Sequence, residues 1–201
     1  MPAPIGKYAT DRLVYGVVDK ISPHICFVNP NIVTIVNYFV TLYIIHCLYK
    51  DKSTKHLLAL VCVHMLLDCL DGSIARNCNS SSYLGGMLDI TGDMFMHVSL
   101  LLYALHKITS NDSFTVKQKN IVIMICLFII VKLGFIWNRW RQNLRVKYKG
   151  AKGKHSSPYG TDIVSRYVTG FIDDNAVLLA GGLVMACKHI DKIAKFMFNL
   201  F

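Results

Sequence analysis

The stretch DCLDGSIARNCNSSSYLGGMLDITGD, residues 68–93, carries four aspartates and is flanked on both sides by apolar sequence. Asp68 and Asp71 are three residues apart, and Asp89 and Asp93 are four apart. On helices each pair lies on one face, a turn apart. The short polar segment between the pairs predicts two antiparallel neighbouring helices. All four carboxylates are therefore expected to converge at one depth.

The sequence around these acids is typical of a membrane protein. Of the 201 residues, 53% are hydrophobic and only 17% are charged, and the mean hydropathy is +0.41. Several apolar runs approach the length needed to cross a bilayer. They lie at about 31–49, 56–75, 84–106, 120–138 and 161–187. The predicted fold class is an all-α, multi-pass transmembrane helical bundle of five to six spans, with residues 189–201 as a short sixth helix or an interfacial one.

The N-terminal segment differs from the spans. Residues 8–22 mix apolar and charged positions at helical spacing, which fits a helix in the membrane interface and equally a polar lead-in. Pro30, with Asn29 as its cap, marks the start of the first span. No apolar run follows a basic start, so no cleaved signal peptide is expected. The chain is predicted to be a single domain, 1–201, with an N-terminal interfacial segment, 1–30, and a bundle, 31–201.

The formal net charge of +10 raises nucleic acid as a partner. The basic side chains, however, cluster in residues 139–154, beside apolar spans, where they favour a cytoplasmic loop in contact with anionic lipids. We therefore predict membrane lipids and no nucleic acid as partners. The Lys/Arg distribution puts the aspartates on the cytoplasmic side of an integral multi-pass protein. Its membrane would be the endoplasmic reticulum in a eukaryote or the plasma membrane in a bacterium.

The seven cysteines are scattered, and no pair has the spacing of a zinc knuckle. Neither a disulfide framework nor a zinc site is predicted from this odd number. Most of the cysteines are expected to be small hydrophobic residues inside the spans.

The four acids need a counter-charge, because Arg76 alone cannot neutralise them. Hard carboxylate oxygens in this number suit Mg²⁺, Mn²⁺ or Ca²⁺, and two such ions close together can clamp phosphate oxygens. The small residues Gly72, Ala75 and Gly85 would let a nucleotide approach closely. An ion or metal transporter could use the same acids. Charge spacing alone leaves both functions open.

The stretch also resembles the signature of the CDP-alcohol phosphotransferases, D-x2-D-G-x2-A-R-x8-G-x3-D-x3-D. Every fixed position and every gap of that signature is present. The matching residues are Asp68, Asp71, Gly72, Ala75, Arg76, Gly85, Asp89 and Asp93. In addition, NPNIVT at residues 29–34 is similar to the Pro-Asn…Thr element that starts the first span of this family.

The resemblance implies an enzyme that displaces CMP from a CDP-linked substrate with an acceptor hydroxyl. It implies Mg²⁺ or Mn²⁺ in a two-metal site, held by Asp68, Asp71, Asp89 and Asp93, with Asp93 also the catalytic general base. It implies CDP binding by Gly72, Ala75, Arg76 and Gly85. Family members are often homodimers, so a homodimer is one expected assembly.

The acceptor alcohol is predicted from a sequence similarity that is weaker than the match to the family signature. GGMLDITGD, residues 85–93, is similar to the corresponding segment of inositol-type members. The prediction is phosphatidyl transfer from CDP-diacylglycerol to a small polar alcohol in phospholipid synthesis, with inositol first and then glycerol 3-phosphate or serine. The alternative is CDP-choline or CDP-ethanolamine with diacylglycerol. Candidate acceptor-binding residues are Lys132, Arg139 and Arg166, although cations there also fit lipid contact.

Overall fold

The computed structural model describes residues 9–149 and 176–199, and every regular element within them is helical. This confirms the all-α fold class. A short 3-10 helix, Ser22–Ile25, follows the first α-helix. The α-helices are α1 (Ala9–Ile21), α2 (Pro30–Tyr49), α3 (Thr54–Asn77), α4 (Tyr83–Thr109), α5 (Val116–Lys149), α6 (Ala176–Lys188) and α7 (Ile190–Asn199).

Four of the described helices are long and apolar enough to cross a membrane: α2, α3, α4 and residues 116–148 of α5. They match the first four predicted spans. The predicted fifth span, 161–187, lies partly outside the described residues, and its described part forms α6. The last segment forms α7, which agrees with the expected short terminal helix. A helix also forms at the N-terminus, while its place at the membrane interface stays a prediction.

Polar side chains define where the spans begin. The Asn29 side chain accepts a hydrogen bond from the Asn31 amide at 3.0 Å, and Pro30 occupies the first turn of α2, as predicted. Ser53 accepts from the His56 amide at the start of α3, and Ser82 accepts from the Gly85 amide at the start of α4. These caps satisfy amides that would otherwise lack partners where each helix starts.

α2 packs on both α3 and α4, and all three helices contribute side chains to one buried apolar core. The prediction that α3 and α4 are neighbours agrees with this shared core. The core fills the half of the bundle away from the aspartates. Its buried members are Ile44, Cys47, Leu48, Leu57, Val61, Met65, Met96, Leu100, Tyr103, Ala104, Val184 and Cys187. At the other end, acids and glycines of α3 and α4 replace the apolar side chains, and we call the region around Asp68, Asp71, Asp89 and Asp93 the acid cleft.

The predicted basic loop over residues 139–154 is also partly wrong, because α5 continues as a helix to Lys149. Arginine, lysine, glutamine and leucine favour helix, and the first helix-breaking residue is Gly150. The extension has a packing role. Leu144 is buried against the start of α4, where a Cβ added to Gly86 would lie 2.8 Å from its Cδ2 atom.

The prediction that the cysteines form no disulfide is wrong for one pair. Cys26 and Cys78, which are 52 residues apart, are joined by a disulfide. Cys26 follows the 3-10 helix and Cys78 caps the end of α3, so the bond ties the N-terminal segment to the aspartate end of the bundle. The pairing follows from tertiary contact, which cysteine spacing does not reveal. Four of the other five cysteines are buried, as expected.

The N-terminal segment is further held on α3 by a polar cluster. The hydroxyl of Ser73 donates a 2.5 Å hydrogen bond to Asp19 Oδ1 and also bonds Ser22. Asn77 Nδ2 donates to the Ser22 hydroxyl at 2.7 Å. Ser22 and Ser73 are fully buried. Because buried hydroxyls without partners are costly, this network fixes the register of α1 on α3.

Candidate active site

The four aspartates come together at one end of the bundle, from the last turns of α3 and the first turns of α4. Asp68 lies within electrostatic range of Asp93, Asp89 and Asp71. Asp71 is only 4% exposed, Asp68 is half-buried, and Asp89 and Asp93 are exposed. The cleft therefore has a buried carboxylate at its base and two that are open to an incoming ligand.

Thr34 on α2 contacts the base of this cleft. Its hydroxyl donates a 2.5 Å hydrogen bond to Asp71 Oδ2, and both side chains are buried. The bond orients the carboxylate that is least accessible to solvent. The sequence contained a signal for this residue, since Thr34 closes the NPNIVT element, but its contact with Asp71 was not predicted.

Tyr38, one turn further along α2, is a second site residue that the sequence analysis missed. Its hydroxyl donates to the carbonyl of Leu88, next to Asp89, and lies within electrostatic range of Asp89 and Asp93. The ring packs so closely on α4 that a Cβ added to Gly92 would lie 2.5 Å from Tyr38 Cε1. Gly92 thus allows α2 and α4 to approach beside the acids.

Arg76 supplies the positive charge of the cleft. Its guanidinium lies over Gly72, since a Cβ added there would be 3.2 Å from Nη1. It interacts electrostatically with Asp71 and Asp89. The Arg76 side chain remains exposed, so its planar fork is accessible to an anion. The structure brings this residue and the four aspartates into one cleft.

The other two predicted CDP-binding residues lie at the mouth of the cleft. A Cβ added to Gly85 would lie 3.0 Å from Asn31 Oδ1 and 3.2 Å from the Ser82 hydroxyl, so a side chain at Gly85 would crowd both. Ala75 is half-buried on α3, and its carbonyl accepts a 2.9 Å hydrogen bond from Ser81. Both positions keep the rim free of bulky side chains.

Tyr15 on α1 reaches the same cleft from the side. The Arg76 Cζ atom lies 5.5 Å from the centre of its ring, and its hydroxyl lies within electrostatic range of the Cys69 thiol. Burial, followed by the neighbouring Cys69, raises the pKa of Tyr15 above its usual value. The side chain therefore stays a neutral phenol at physiological pH. The sequence analysis did not single out this residue.

The candidate acceptor-binding residues are spread out. Lys132 is exposed on α5, with its ammonium 5.6 Å from the ring centre of Phe128 on the same helix. Arg139 is exposed two turns further along α5. Arg166 lies outside the described residues. These three positions stay predictions.

A divalent metal is compatible with the donors present. Among the residues that the structure describes, no group of three or more His, Cys, Asp or Glu side chains is already arranged to hold a metal ion. The donor chemistry nevertheless fits, because four carboxylates lie close together, and Arg76 interacts electrostatically with two of them, Asp71 and Asp89. Such a surplus of hard, negatively charged oxygens suits Mg²⁺ or Mn²⁺.

Two cavities differ in their relation to the acids. An apolar groove of about 300 Å³ opens between α2 and α4, directly beside the aspartates. It is lined by Ile35, Tyr38, Phe39, Leu42, Thr91 and Phe95. A larger, polar cavity of about 660 Å³ includes His106 and lies at the other end of α4. With a helical rise of 1.5 Å per residue, His106 is about 25 Å from Asp89, so this cavity is separate from the acid cleft.

Comparison with known families identifies the class of protein. The model of the CDP-alcohol phosphatidyltransferase family matches residues 27–190, more than half of the chain. The chain belongs to this family, whose members are enzymes that transfer phosphatidyl groups. It is therefore an integral membrane transferase of phospholipid synthesis that uses a CDP-alcohol and an alcohol acceptor. Because the members of this family are transferases, we no longer interpret the acids as part of an ion or metal transporter. Comparisons with curated proteins and with solved structures returned no significant match.

Proposed function

We propose that this protein transfers a phosphatidyl group from CDP-diacylglycerol to a small polar alcohol, inositol first, and releases CMP. The observation that carries the proposal is the cleft in which the whole family signature meets. Four carboxylates, one accessible arginine fork and a glycine-lined rim surround the space between α3 and α4. Phosphoryl transfer needs charge neutralisation and alignment of this kind more than it needs covalent help.

The donor would lie with its diphosphate in the cleft. A bound Mg²⁺ or Mn²⁺, held by Asp68, Asp71, Asp89 and Asp93, would neutralise phosphate charge and polarise the reacting phosphorus centre. Arg76 presents its fork to the same diphosphate. Gly72, Ala75 and Gly85 leave room for the cytidine and its phosphates. Thr34 holds the buried Asp71 carboxylate in one orientation.

Asp93 is the proposed general base. It is exposed at the open side of the cleft, where an acceptor hydroxyl can reach it. It takes the hydroxyl proton as the new oxygen–phosphorus bond forms and the bond to the CMP oxygen breaks. A carboxylate is a weak base in the ground state, but the hydroxyl becomes acidic as this bond develops.

The apolar groove between α2 and α4 supports a lipid-linked donor. It lies beside the acids at Tyr38 and Thr91, and its lining on α2 extends from Ile35 to Leu42, seven residues further into the span. A hydrocarbon tail placed there would remain in an apolar environment while the diphosphate reaches the polar end of the bundle. A water-soluble donor has no hydrocarbon tail that could occupy this groove.

The acceptor rests on the likeness of residues 85–93 to inositol-type members. Glycerol 3-phosphate and serine follow inositol in rank. The alternative donor pair is CDP-choline or CDP-ethanolamine with diacylglycerol. Lys132, Arg139 and Arg166 are proposed as acceptor contacts, and the cytoplasmic orientation of the site follows from the Lys/Arg distribution alone.

The test is CMP release by purified protein in detergent with CDP-diacylglycerol and Mg²⁺. Inositol, glycerol 3-phosphate, serine, choline and ethanolamine are added one at a time. We expect release with inositol and a loss of about 10²- to 10⁴-fold in kcat for Asp93→Asn, the usual contribution of a general base. Asp112→Asn, in the exposed α4–α5 connection, is the matched control and should keep full activity.

The outcomes separate the alternatives. Release with another acceptor keeps the reaction and replaces inositol. Activity only with CDP-choline or CDP-ethanolamine plus diacylglycerol reverses the assignment of donor and acceptor. Full activity of Asp93→Asn would remove Asp93 as the base, and no CMP release with any pair would contradict the proposed function.

A further inference from the structure

Tyr15 and Arg76 come from parts of the chain that are far apart, yet the structure joins them at the cleft. Arg76 Cζ lies 5.5 Å from the centre of the Tyr15 ring, within the range of a cation–π contact. The guanidinium also lies close to Gly72, where an added Cβ would be 3.2 Å from Nη1. The flexible arginine side chain is thus bounded by an aromatic ring and a glycine.

The position of Tyr15 is itself fixed from several directions. Its side chain lies within electrostatic range of Cys69, one helical turn before Ser73. Ser73 bonds Asp19, one turn after Tyr15 on α1. The Cys26–Cys78 bond closes the same interface two residues after Arg76. The face of α3 that carries Cys69, Ser73, Arg76 and Asn77 is therefore the face on which α1 is registered.

The contact with Tyr15 restricts the orientation of the Arg76 side chain. Its side chain is exposed and interacts with both Asp71 and Asp89, so several rotamers could satisfy its charge. An exposed arginine also loses considerable rotamer entropy when it must adopt one geometry. A ring face that attracts the guanidinium plane selects one orientation before the substrate arrives.

We propose that Tyr15 is a positioning residue for the transferase reaction, holding the Arg76 guanidinium over Gly72 so that its fork faces the diphosphate of the CDP-alcohol. The inference rests on the proposed function. Tyr15 acts through Arg76 and does not touch the reacting atoms. The N-terminal helix thereby contributes to donor binding, although it lies outside the family signature.

The first experiment is a double-mutant cycle on Tyr15 and Arg76, in which the KM for CDP-diacylglycerol and the KM for the acceptor are measured. Tyr15→Leu should raise the donor KM by about 3- to 30-fold, the range of a cation–π contact, and leave the acceptor KM unchanged. In an Arg76→Ala background the same substitution should have no further effect. Tyr15→Phe keeps the ring and should keep the donor KM. Tyr43→Leu is the matched control, because Tyr43 is an exposed tyrosine on α2 that does not contact Arg76 in the structure.

The second experiment separates ring electronics from packing. Phenylalanine analogues with one, two and three ring fluorines are placed at position 15, which leaves the shape nearly constant while weakening the negative ring face. We expect the donor KM to rise stepwise with fluorination. The inference is overturned if the donor KM does not change with fluorination. It is also overturned if Tyr15→Leu still raises the donor KM in the Arg76→Ala background. Either result would leave Tyr15 with a structural role only.

Binding of CDP with Mg²⁺, measured calorimetrically on the same variants, distinguishes the two proposals. The unmodified protein could release CMP while the effects of Tyr15→Leu and Arg76→Ala on the donor KM simply add. In that case the inference about Tyr15 fails and the proposed function stands. If the unmodified protein neither releases CMP nor binds CDP, the proposed function fails, and the role of Tyr15 falls with it.

Discussion

The hydroxyl of Thr34 donates a 2.5 Å hydrogen bond to Asp71 Oδ2 in the buried base of the cleft. It joins α2, which carries none of the signature aspartates, to the least accessible of the four carboxylates. The orientation of Asp71 thus depends on a residue 37 positions earlier in the chain.

Thr34→Val should lower kcat/KM for CMP release. The substitution keeps the shape of the side chain but leaves a buried charged acceptor without its donor, which costs about 1–3 kcal/mol. We expect a loss of about 5- to 150-fold, measured by steady-state kinetics. Thr34→Ser keeps the hydroxyl and should retain most activity. Equal activity of the valine and serine variants would show that this bond does not orient Asp71.

Gly92→Ala should impair the enzyme through Tyr38. The new Cβ would lie 2.5 Å from Tyr38 Cε1, so the ring must move and its bond to the Leu88 carbonyl must weaken. We expect lower activity and a lower unfolding temperature. Gly182→Ala is the matched control, because an added Cβ there meets nothing within 4 Å and alanine favours helix. Similar behaviour of the two variants would contradict a close α2–α4 contact at Gly92.

Removal of divalent metal should abolish CMP release. The four carboxylates lie close together and would repel the diphosphate of the donor unless a bound cation offsets their charge. Chelation by EDTA followed by titration of Mg²⁺, Mn²⁺ or Ca²⁺ checks this expectation. Recovery with Mg²⁺ or Mn²⁺ is expected, and Asp89→Asn should require a higher metal concentration. Full activity after chelation would contradict a metal role for these acids.

The state of Cys26 and Cys78 reports which side of the membrane the cleft faces. The disulfide lies at the aspartate end, and the Lys/Arg distribution predicts that this end is cytoplasmic. Because the cytosol keeps thiols reduced, we expect a dithiol in intact cells and a disulfide after purification without reductant. Acid trapping, followed by a maleimide mass shift with and without prior reduction, measures this. A disulfide already present in cells would indicate an oxidising compartment and reverse the predicted orientation.

The ion pair between Asp191 and Lys107 should contribute stability that depends on pH. The atoms are 3.5 Å apart. Burial alone would raise the pKa of Asp191, but Lys107 and backbone donors hold it below its usual value. A lowered carboxylate pKa gives stability that is present above the unfolded value of about 3.9 and is lost as the pH falls through the folded value.

Asp191→Asn should therefore lower the unfolding temperature at neutral pH, and the difference from the parent should shrink in acid. Asp51→Asn is the comparison, because Asp51 is 80% exposed in its pair with Lys188 and such pairs contribute little. Equal effects of both substitutions, or an Asp191→Asn effect that does not change with pH, would contradict the contribution of this pair.

The first four helical spans and the family signature could both be predicted from the sequence. Both are local properties: an apolar run of sufficient length predicts a span, and the spacing of Asp68, Asp71, Asp89 and Asp93 predicts which helix faces carry the acids. The caps at Asn29 and Pro30 were predictable for the same reason. The prediction of a loop beyond Arg139 is wrong because charged residues such as arginine and lysine favour helix and do not by themselves end one.

Which residues surround the acids depends on how the helices pack, and this could not be predicted from the sequence. Thr34 and Tyr38 reach the cleft because α2 packs on both α3 and α4, and Tyr15 reaches Arg76 because α1 is registered on α3. The Cys26–Cys78 bond joins residues 52 positions apart. Periodicity assigns each side chain to a face of its own helix, but the partner of that face depends on how all the helices pack. That packing is set by contacts between distant parts of the chain, which no local pattern specifies.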